Sequence, residues 1–281
     1  MDFGIIAFAT DQTISPGRIA RLTEEAGFES VWFPEHSHLP TASGGWPGGD
    51  RIPASYARTI DQWVALGMAI ESTSTITLGT GMTLVPQHDP VWLAKQAASV
   101  DHLSGGRLVM GVGYTWNRAE LADHGVDFSQ RRARTRECVE LMRALWGQDV
   151  ASYEGHHVSV SASQAWPKPI RDGGPPLVIG AGVGPRTLAD LVDWADGWAP
   201  MFGRDDIDGT LPLVRDALAD AGRLDGFTLN VFGVPNDPAA LQRVQEWEPD
   251  RVVFGAGGAT DAEFGAALEA AKATIEAAGL S

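Results

Sequence analysis

Residues 76–117 read ITLGTGMTLVPQHDPVWLAKQAASVDHLSGGRLVMGVGYTWN, a strand, a helix and a second strand with a polar loop after each strand. The first apolar run, Ile76 to Leu84, carries Gly79 and Gly81, where a missing Cβ lets another backbone or a flat ring come close. A helix follows. Asp89 suits the N-cap, Pro90 suits the first helical position, and Leu93, Ala97 and Val100 recur at helical spacing to give one buried face. The second apolar run, Leu108 to Val112, lies among Gly105, Gly106, Gly111 and Gly113. Two strands joined through a helix are parallel neighbours in one sheet.

The same alternation extends outward in both directions. Toward the N-terminus, Phe3 to Phe8 and Ser30 to Phe33 are strands, separated by a helix that Ser15 and Pro16 open and Gly27 ends. Residues 34–59 then form a long polar loop rich in Gly and Pro; compact folds rarely keep such a loop without a use, which makes it a lid candidate. Ile60 to Glu71 is the next helix. Toward the C-terminus, Thr135 to Trp146 is a helix with Cys138, Leu141, Met142 and Leu145 on one face, so Cys138 reads as a packed core thiol. From Gly147 to Pro176 the pattern breaks into short, irregular pieces, an insertion after the fourth helix. The strands Leu177 to Ile179, Trp198, Thr228 to Val234 and Arg251 to Phe254 follow, with helices over Pro185 to Ala195, Arg204 to Ala221, Pro238 to Trp247 and Asp261 to Ala278.

Eight strand–helix units predict one domain over residues 1–281, a closed (β/α)8 TIM barrel with helices outside and residues 147–176 inserted. An open doubly wound sheet is the alternative. In such a barrel function sits in the loops that follow the strands. A length of 281 residues, 44% hydrophobic and 20% charged, suits one large globular domain. The formal charge of −15 excludes general nucleic-acid binding, which needs a clustered excess of Lys and Arg. A single cysteine leaves no internal disulfide and no cysteine metal cluster. The start MDFGIIAF has no basic segment or long apolar core, and no stretch reaches about 18 apolar residues, so a cytoplasmic protein without a membrane span is expected.

Few residues in those loops point to chemistry. In IGAGVGPRTLADL, Gly180, Gly182 and Gly184 precede a helix with Pro185 in its first turn; free N–H groups there suit an anion, although a plain strand-to-helix turn reads the same way. Gly255 to Gly258, after the last strand, is a rival phosphate site. His36 follows the second strand in WFPEH, as a general base, a hydrogen-bond donor or a plain structural histidine. His88 is a weaker candidate in another mouth loop. His36 and His38 lack further ligands at metal spacing, so no metal site is expected. Trp46 and Trp116 also fall in mouth loops. Neither a serine nucleophile motif nor a GxxxxGK[ST] loop is present.

WFPEH, residues 78–121 (LGTGMTLVPQHDPVWLAKQAASVDHLSGGRLVMGVGYTWNRAEL), RRARTRECVELMRALW and IGAGVGP together resemble the bacterial luciferase-like family, and most closely its members that use coenzyme F420, a deazaflavin, in place of FMN. The resemblance implies a β/α-barrel oxidoreductase, usually a homodimer, with the ring at the strand C-termini and the phosphate on a glycine turn. It places Glu35 and His36 beside the ring, Thr80, Gly81 and Met82 in a bulged strand behind it, Gly113 at a strand end, Asn117 in the cofactor loop, and Gly182, Val183 and Gly184 at the phosphate. His36 is the implied catalytic residue. It further implies a cis bond between Gly81 and Met82. One departure is that sugar-phosphate and alcohol dehydrogenases of this type carry a glutamate just after the GVG strand end, whereas Tyr114, Thr115 and Trp116 stand here. The expected activity is hydride transfer between F420 and a small organic substrate, with an FMN-dependent monooxygenase or a non-catalytic flavin-binding or F420-binding protein as alternatives. With so acidic a chain, the oligoglutamate tail of F420 is expected to be held loosely, Lys168, Arg171 and Arg186 being the nearest cations.

Overall fold

The computed structural model describes residues 1–280. In chain order its strands are β1 (Asp2–Ile6), β2 (Ser30–Phe33), β3 (Thr77–Leu84), β4 (Leu108–Gly113), β5 (Ala151–Glu154), β6 (Ser159–Ser163), β7 (Leu177–Ile179), β8 (Gly197–Trp198), β9 (Thr228–Val234) and β10 (Arg251–Gly255). The helices are α1 (Pro16–Glu25), α2 (Gln62–Ser72), α3 (Pro90–Ser104), α4 (Arg118–Asp123), α5 (Arg131–Gly147), α6 (Pro185–Asp193), α7 (Ile207–Asp220), α8 (Pro238–Gln245) and α9 (Asp261–Ala277). Eight strands close into a barrel in the order β1-β10-β9-β8-β7-β4-β3-β2. Every neighbouring pair is parallel, and β1 pairs with both β2 and β10. The fold is therefore a (β/α)8 barrel, and the open sheet is set aside. Between α5 and β7, the segment read as an insertion holds the antiparallel hairpin β5–β6, which packs on α5.

Local chemistry sets these elements as their residues dictate. Asp89 accepts hydrogen bonds from the N–H groups of Val91 and Trp92, Pro90 opens α3, and Gly105 closes it at φ 71°. Leu93, Ala97 and Val100 are buried, as their spacing requires. Cys138 is fully buried, and burial pushes its thiol up to about 12, which removes it from chemistry. Several boundaries differ from expectation, α5 already starting at Arg131 ahead of Thr135. The strand β1 ends at Ile6, α7 starts only at Ile207 behind the capping Asp206, and the short helix α4 was not anticipated. Among the described residues no helix is long and apolar enough to cross a membrane.

Two apolar layers result. Between sheet and helices lies the larger one, including Leu78, Leu108, Leu141 and Phe264. Inside the barrel, Trp32, Val109, Val178, Ala199, Phe232 and Val253 fill the lumen, the rings of Trp32 and Phe232 meeting edge to face at 5.0 Å. A Cβ on Gly79 would enter the indole of Trp32, so the flat ring that this glycine admits belongs to the protein. Farther along β3 the register against β4 shifts between Thr80 and Thr83, and the Gly81–Met82 peptide bond is cis, as expected. The bulge sends Met82 across the next strands. Cβ atoms on Gly111, Gly113 or Gly180 would each collide with or crowd its side chain. Three glycines on β4 and after β7 thus make room for one methionine.

That packing carries a stability expectation. Gly111→Ala must push a Cβ into the Thr80 carbonyl and the Met82 sulfur, and overpacking of this kind costs about 1–3 kcal/mol. On α9, Gly265→Ala meets nothing within 4 Å and should gain about 0.5–1 kcal/mol through helix propensity and a stiffer unfolded chain. Urea unfolding midpoints with an unchanged m-value measure both. An unaltered midpoint for Gly111→Ala would refute the packing of Met82 over β4.

Candidate active site

A cavity of about 460 Å³ opens where the barrel strands end at their C-termini, within the range of about 300–1,000 Å³ common for small-molecule sites. Ile6, Met82 and Phe232 give it an apolar floor. Pro34 to His36 after β2, Gly113 to Trp116 after β4 and Gly180 to Gly182 after β7 form its walls. Trp46 and Tyr56, from the long loop after β2, cover one side. Their rings stand 5.7 Å apart, and Tyr56 lies 5.0 Å from His36, which also meets Trp116 at 5.6 Å.

His36 is only 9% exposed, and its Nδ1 lies 2.7 Å from Oε2 of Glu120, which is fully buried. The other oxygen of Glu120 accepts from the N–H of Ser37 at 3.0 Å. Burial alone would push the Glu120 carboxyl up. The hydrogen bond and charge of His36 and the donors of Ser37 outweigh it and hold the group below the usual glutamate range. A carboxylate at Nδ1 fixes the proton there and leaves Nε2 as the nitrogen that can meet a ligand. The sequence alone does not single out Glu120. Its signal is Asn117-x-x-Glu120, a helix-start pattern. The side chain of Asn117 accepts from the N–H groups of Ala119 and Glu120 and so starts α4, the helix that carries the carboxylate to His36.

A second pair stands beside the first. Glu35 lies on the cavity wall, accepts from the N–H of Leu84 at 2.6 Å, and pairs with Nε2 of His88 at 2.9 Å. Burial lowers the His88 pKa, but the charge and hydrogen bond of Glu35 raise it by more. His88 therefore acts on the site through Glu35 and is not on the wall itself. Thr115, between Tyr114 and Trp116, is held at φ 61°. A β-branched residue in that region stores about 1–3 kcal/mol of strain, a feature that concentrates at functional sites.

Past β3 and β4 from His36, the wall passes along the glycine turn after β7. No side chain caps the N-terminus of α6, so its donors remain available to an anion. The rival run is different. Glu263 accepts from the N–H of Ala259 at 2.7 Å and forms a capping box with Thr260, so α9 is capped by its own carboxylate.

Six of the residues expected from the resemblance meet in the wall: Glu35, His36, Gly81, Met82, Gly113 and Gly182. Four do not. The Thr80 hydroxyl is buried and donates to the Gly111 carbonyl at 3.0 Å. Asn117 is 1% exposed, occupied by its cap and by a 2.8 Å hydrogen bond to Ser43, so it shapes the loop from behind. Val183 packs against the core, and Gly184 is the N-cap of α6, just beyond the wall. Lys168 and Arg171 are misplaced by the sequence reading. They precede β7 and so lie toward the N-terminal face of the barrel. Lys168 there donates to the carbonyls of Leu145 and Gln148, and Arg171 stands beside Pro176 and Thr228.

The strand-end cavity, the buried His–Glu pair and the uncapped helix start gather at one end of the parallel barrel as its candidate active site. Residues 2–275 match the luciferase-like monooxygenase family, and the chain belongs to that family. It is 42% identical over 260 residues to an uncharacterized protein of Mycobacterium tuberculosis, covering 91% of this chain and 92% of the other. It is 31% identical over 244 residues to an F420-dependent glucose-6-phosphate dehydrogenase of Nocardia farcinica, covering 82% of this chain and 68% of that one. Among solved structures, the monooxygenase RslO1 of Streptomyces bottropensis superposes with a TM-score of 0.78 at 20% identity, covering 98% and 99% of the two chains.

The buried pair makes stability depend on acid. Because the folded pKa of Glu120 is depressed, its contribution is complete above the ordinary glutamate value of about 4.3 and is lost as pH falls through the lower folded value. Glu120→Gln should cost about 1.5–3 kcal/mol at neutral pH. Urea midpoints of both proteins across an acid series should converge toward low pH. A gap that is constant with pH would show that the carboxylate charge contributes nothing.

Proposed function

We propose that this chain is an F420-dependent oxidoreductase that moves a hydride between the deazaflavin and a small organic substrate. The observation that carries the reading is the His36–Glu120 pair facing an apolar, aromatic-walled cavity that also takes in the glycine turn leading to an uncapped helix start. The F420-dependent relative at 31% identity supports the choice of cofactor.

The residues present fit such a group. The floor of Ile6, Met82 and Phe232 offers an apolar surface to a flat ring, and Gly81 keeps the bulge free of a side chain that would crowd Ile6. The turn at Gly182 and the N–H groups that start α6 would hold the phosphate. When bound, the deazaflavin supplies the two-electron hydride chemistry. His36 holds or takes the accompanying proton at Nε2, and Glu120 stabilises the imidazolium that results. Trp46, Tyr56 and Trp116 exclude water and give the substrate an aromatic surface. No carboxylate stands directly after β4, where sugar-phosphate and alcohol dehydrogenases of this type carry one. Thr115 and Trp116 take that wall, which points away from a sugar phosphate.

His36→Ala should lower turnover by about 10²-fold or more while cofactor affinity stays within a few-fold. Fluorescence titration with F420 and with FMN, followed by turnover over a panel of carbonyl and alcohol compounds, measures both. Tight FMN binding with oxygen-dependent product formation and no F420 binding would establish the monooxygenase reading. Binding without turnover on any compound would leave a cofactor carrier.

We also propose a homodimer. Val64 and Met68 on α2, and Val91, Trp92 and Leu103 on α3, are exposed, Trp92 by 69% and Leu103 by 70%. Since α2 and α3 pack side by side, these form an apolar face of the kind that marks an interface. Sedimentation should show a dimer for the native chain and a monomer for Trp92→Lys. An unchanged mass for the variant would remove this face from the interface.

A further inference from the structure

Four arginines gather at the edge of the cavity beyond Gly182. The ring of Phe128 lies between the guanidinium groups of Arg118, at 3.8 Å, and Arg131, at 3.6 Å. Arg132 stacks 4.1 Å over Tyr114 and donates to the Thr187 hydroxyl, next to Arg186 on α6. Arg131 and Arg132 line the cavity beside the glycine turn. Burial, together with the charges of Arg132, Arg118 and Arg186, pushes Arg131 below its ordinary value.

Most of the protein's other cations have a carboxylate partner, and Arg107, Arg134 and Lys168 donate to backbone carbonyls instead. Arg18, Arg136 and Arg251 pair with Asp261, Asp193 and Glu29. Among the described residues none of the four pairs with a carboxylate, although the chain carries a net charge of −15. Nε of Arg131 is buried without a hydrogen-bond partner. The neighbouring carboxylates have other donors. Asp190 accepts from Tyr114 and Trp194, Asp205 from the N–H of Met201, and Asp127 from Ser129. Aromatic faces hold three of the four guanidinium groups, and apart from the bonds of Arg131 to the Phe128 carbonyl, at 2.7 Å, and of Arg132 to Thr187 this stacking leaves their N–H donors free. Like charges gathered this way repel unless an anion joins them.

We infer that Arg118, Arg131, Arg132 and Arg186 form a seat for a chain of carboxylates that continues from the phosphate turn, the oligoglutamate tail of F420. This rests on the reading of the cavity as an F420 site. It reverses the expectation of a loosely held tail, because the sequence places these arginines on three separate segments and only the fold gathers them. FMN ends at its phosphate and has no group to reach the seat, so the seat also selects between the two cofactors.

The test is a fluorescence titration of the full chain with F420 bearing no, few or many glutamates, and with FMN, at low and moderate salt. Affinity should rise about fivefold for each of the first glutamates, the upper range for a partly exposed ion pair. The rise should be steepest at about 0.01 M salt, where charges act over about 30 Å, and shrink at about 0.1 M, where they act over about 10 Å. The exposed arginines allow a variant that keeps the fold. In R118Q/R186Q the dependence on tail length should flatten, with tail-free F420 bound within about twofold of the native affinity. Flat affinity in the native chain, or a slope that survives in the variant, overturns this inference alone. Failure of every F420 species to bind, the tail-free form included, overturns the cofactor reading and this inference together.

Discussion

The mouth of this barrel depends on where the side chain of Met82 can lie. A bulge in β3 turns it across β4 toward β7, and it fits only because Gly111, Gly113 and Gly180 offer no Cβ. A parallel barrel of this kind normally fills its lumen with branched side chains in layers. Here the upper layer is thinned on one side, and the methionine, an adaptable thioether, covers the resulting floor. The cavity above it exists because four residues from three strand ends agree on this one packing. It is also why Gly111, which is not in the cavity wall, serves the site.

Around that floor the polar design rests on one buried and one half-buried carboxylate, each held by several donors. Glu120 receives His36 and Ser37, and Glu35 receives His88 and the Leu84 amide. A buried charge is tolerated only when paired and hydrogen-bonded, and here the pairing also does the orienting. The histidine of one pair faces the cavity and the carboxylate of the other does. The wall therefore presents one imidazole edge and one carboxylate at adjacent positions in the chain. The strained Thr115 sets the same loop from the β4 side, and Asn117 anchors it to Ser43 across the mouth.

Charge is distributed against the average of the molecule. The chain is acidic as a whole, yet its cavity edge gathers cations on α4, α5 and the start of α6. Net charge describes long-range behaviour and solubility, whereas recognition is decided within a Debye length. An acidic surface with a basic seat focuses an anionic ligand on one place and repels it elsewhere.

What the sequence determined by itself was local and periodic. Apolar spacing, Asp89 with Pro90 and Gly105 at the two ends of α3, and eight alternations of strand and helix pointed to a closed barrel with an open sheet as its rival, because right-handed crossovers leave few other arrangements, and the pairing of β1 with β10 decided between them. The placing of His36 after a strand was equally legible, since function in this architecture follows strand C-termini. Partners far apart in the chain were not. Glu120 stands 84 positions from His36, and nothing in its own neighbourhood announces it except a helix start that reads as a loop until α4 is seen. Asn117 was legible as a polar loop residue, but whether its amide meets a ligand or caps a helix depends on the direction the chain takes next. Arg118, Arg131 and Arg132 all fall between the strand that ends near Val112 and the helix legible from Thr135, a polar stretch where a solvated surface is the ordinary reading. Only closure of the barrel brings them to Arg186, because short-range order fixes which face a residue takes while packing of separate units fixes which faces meet.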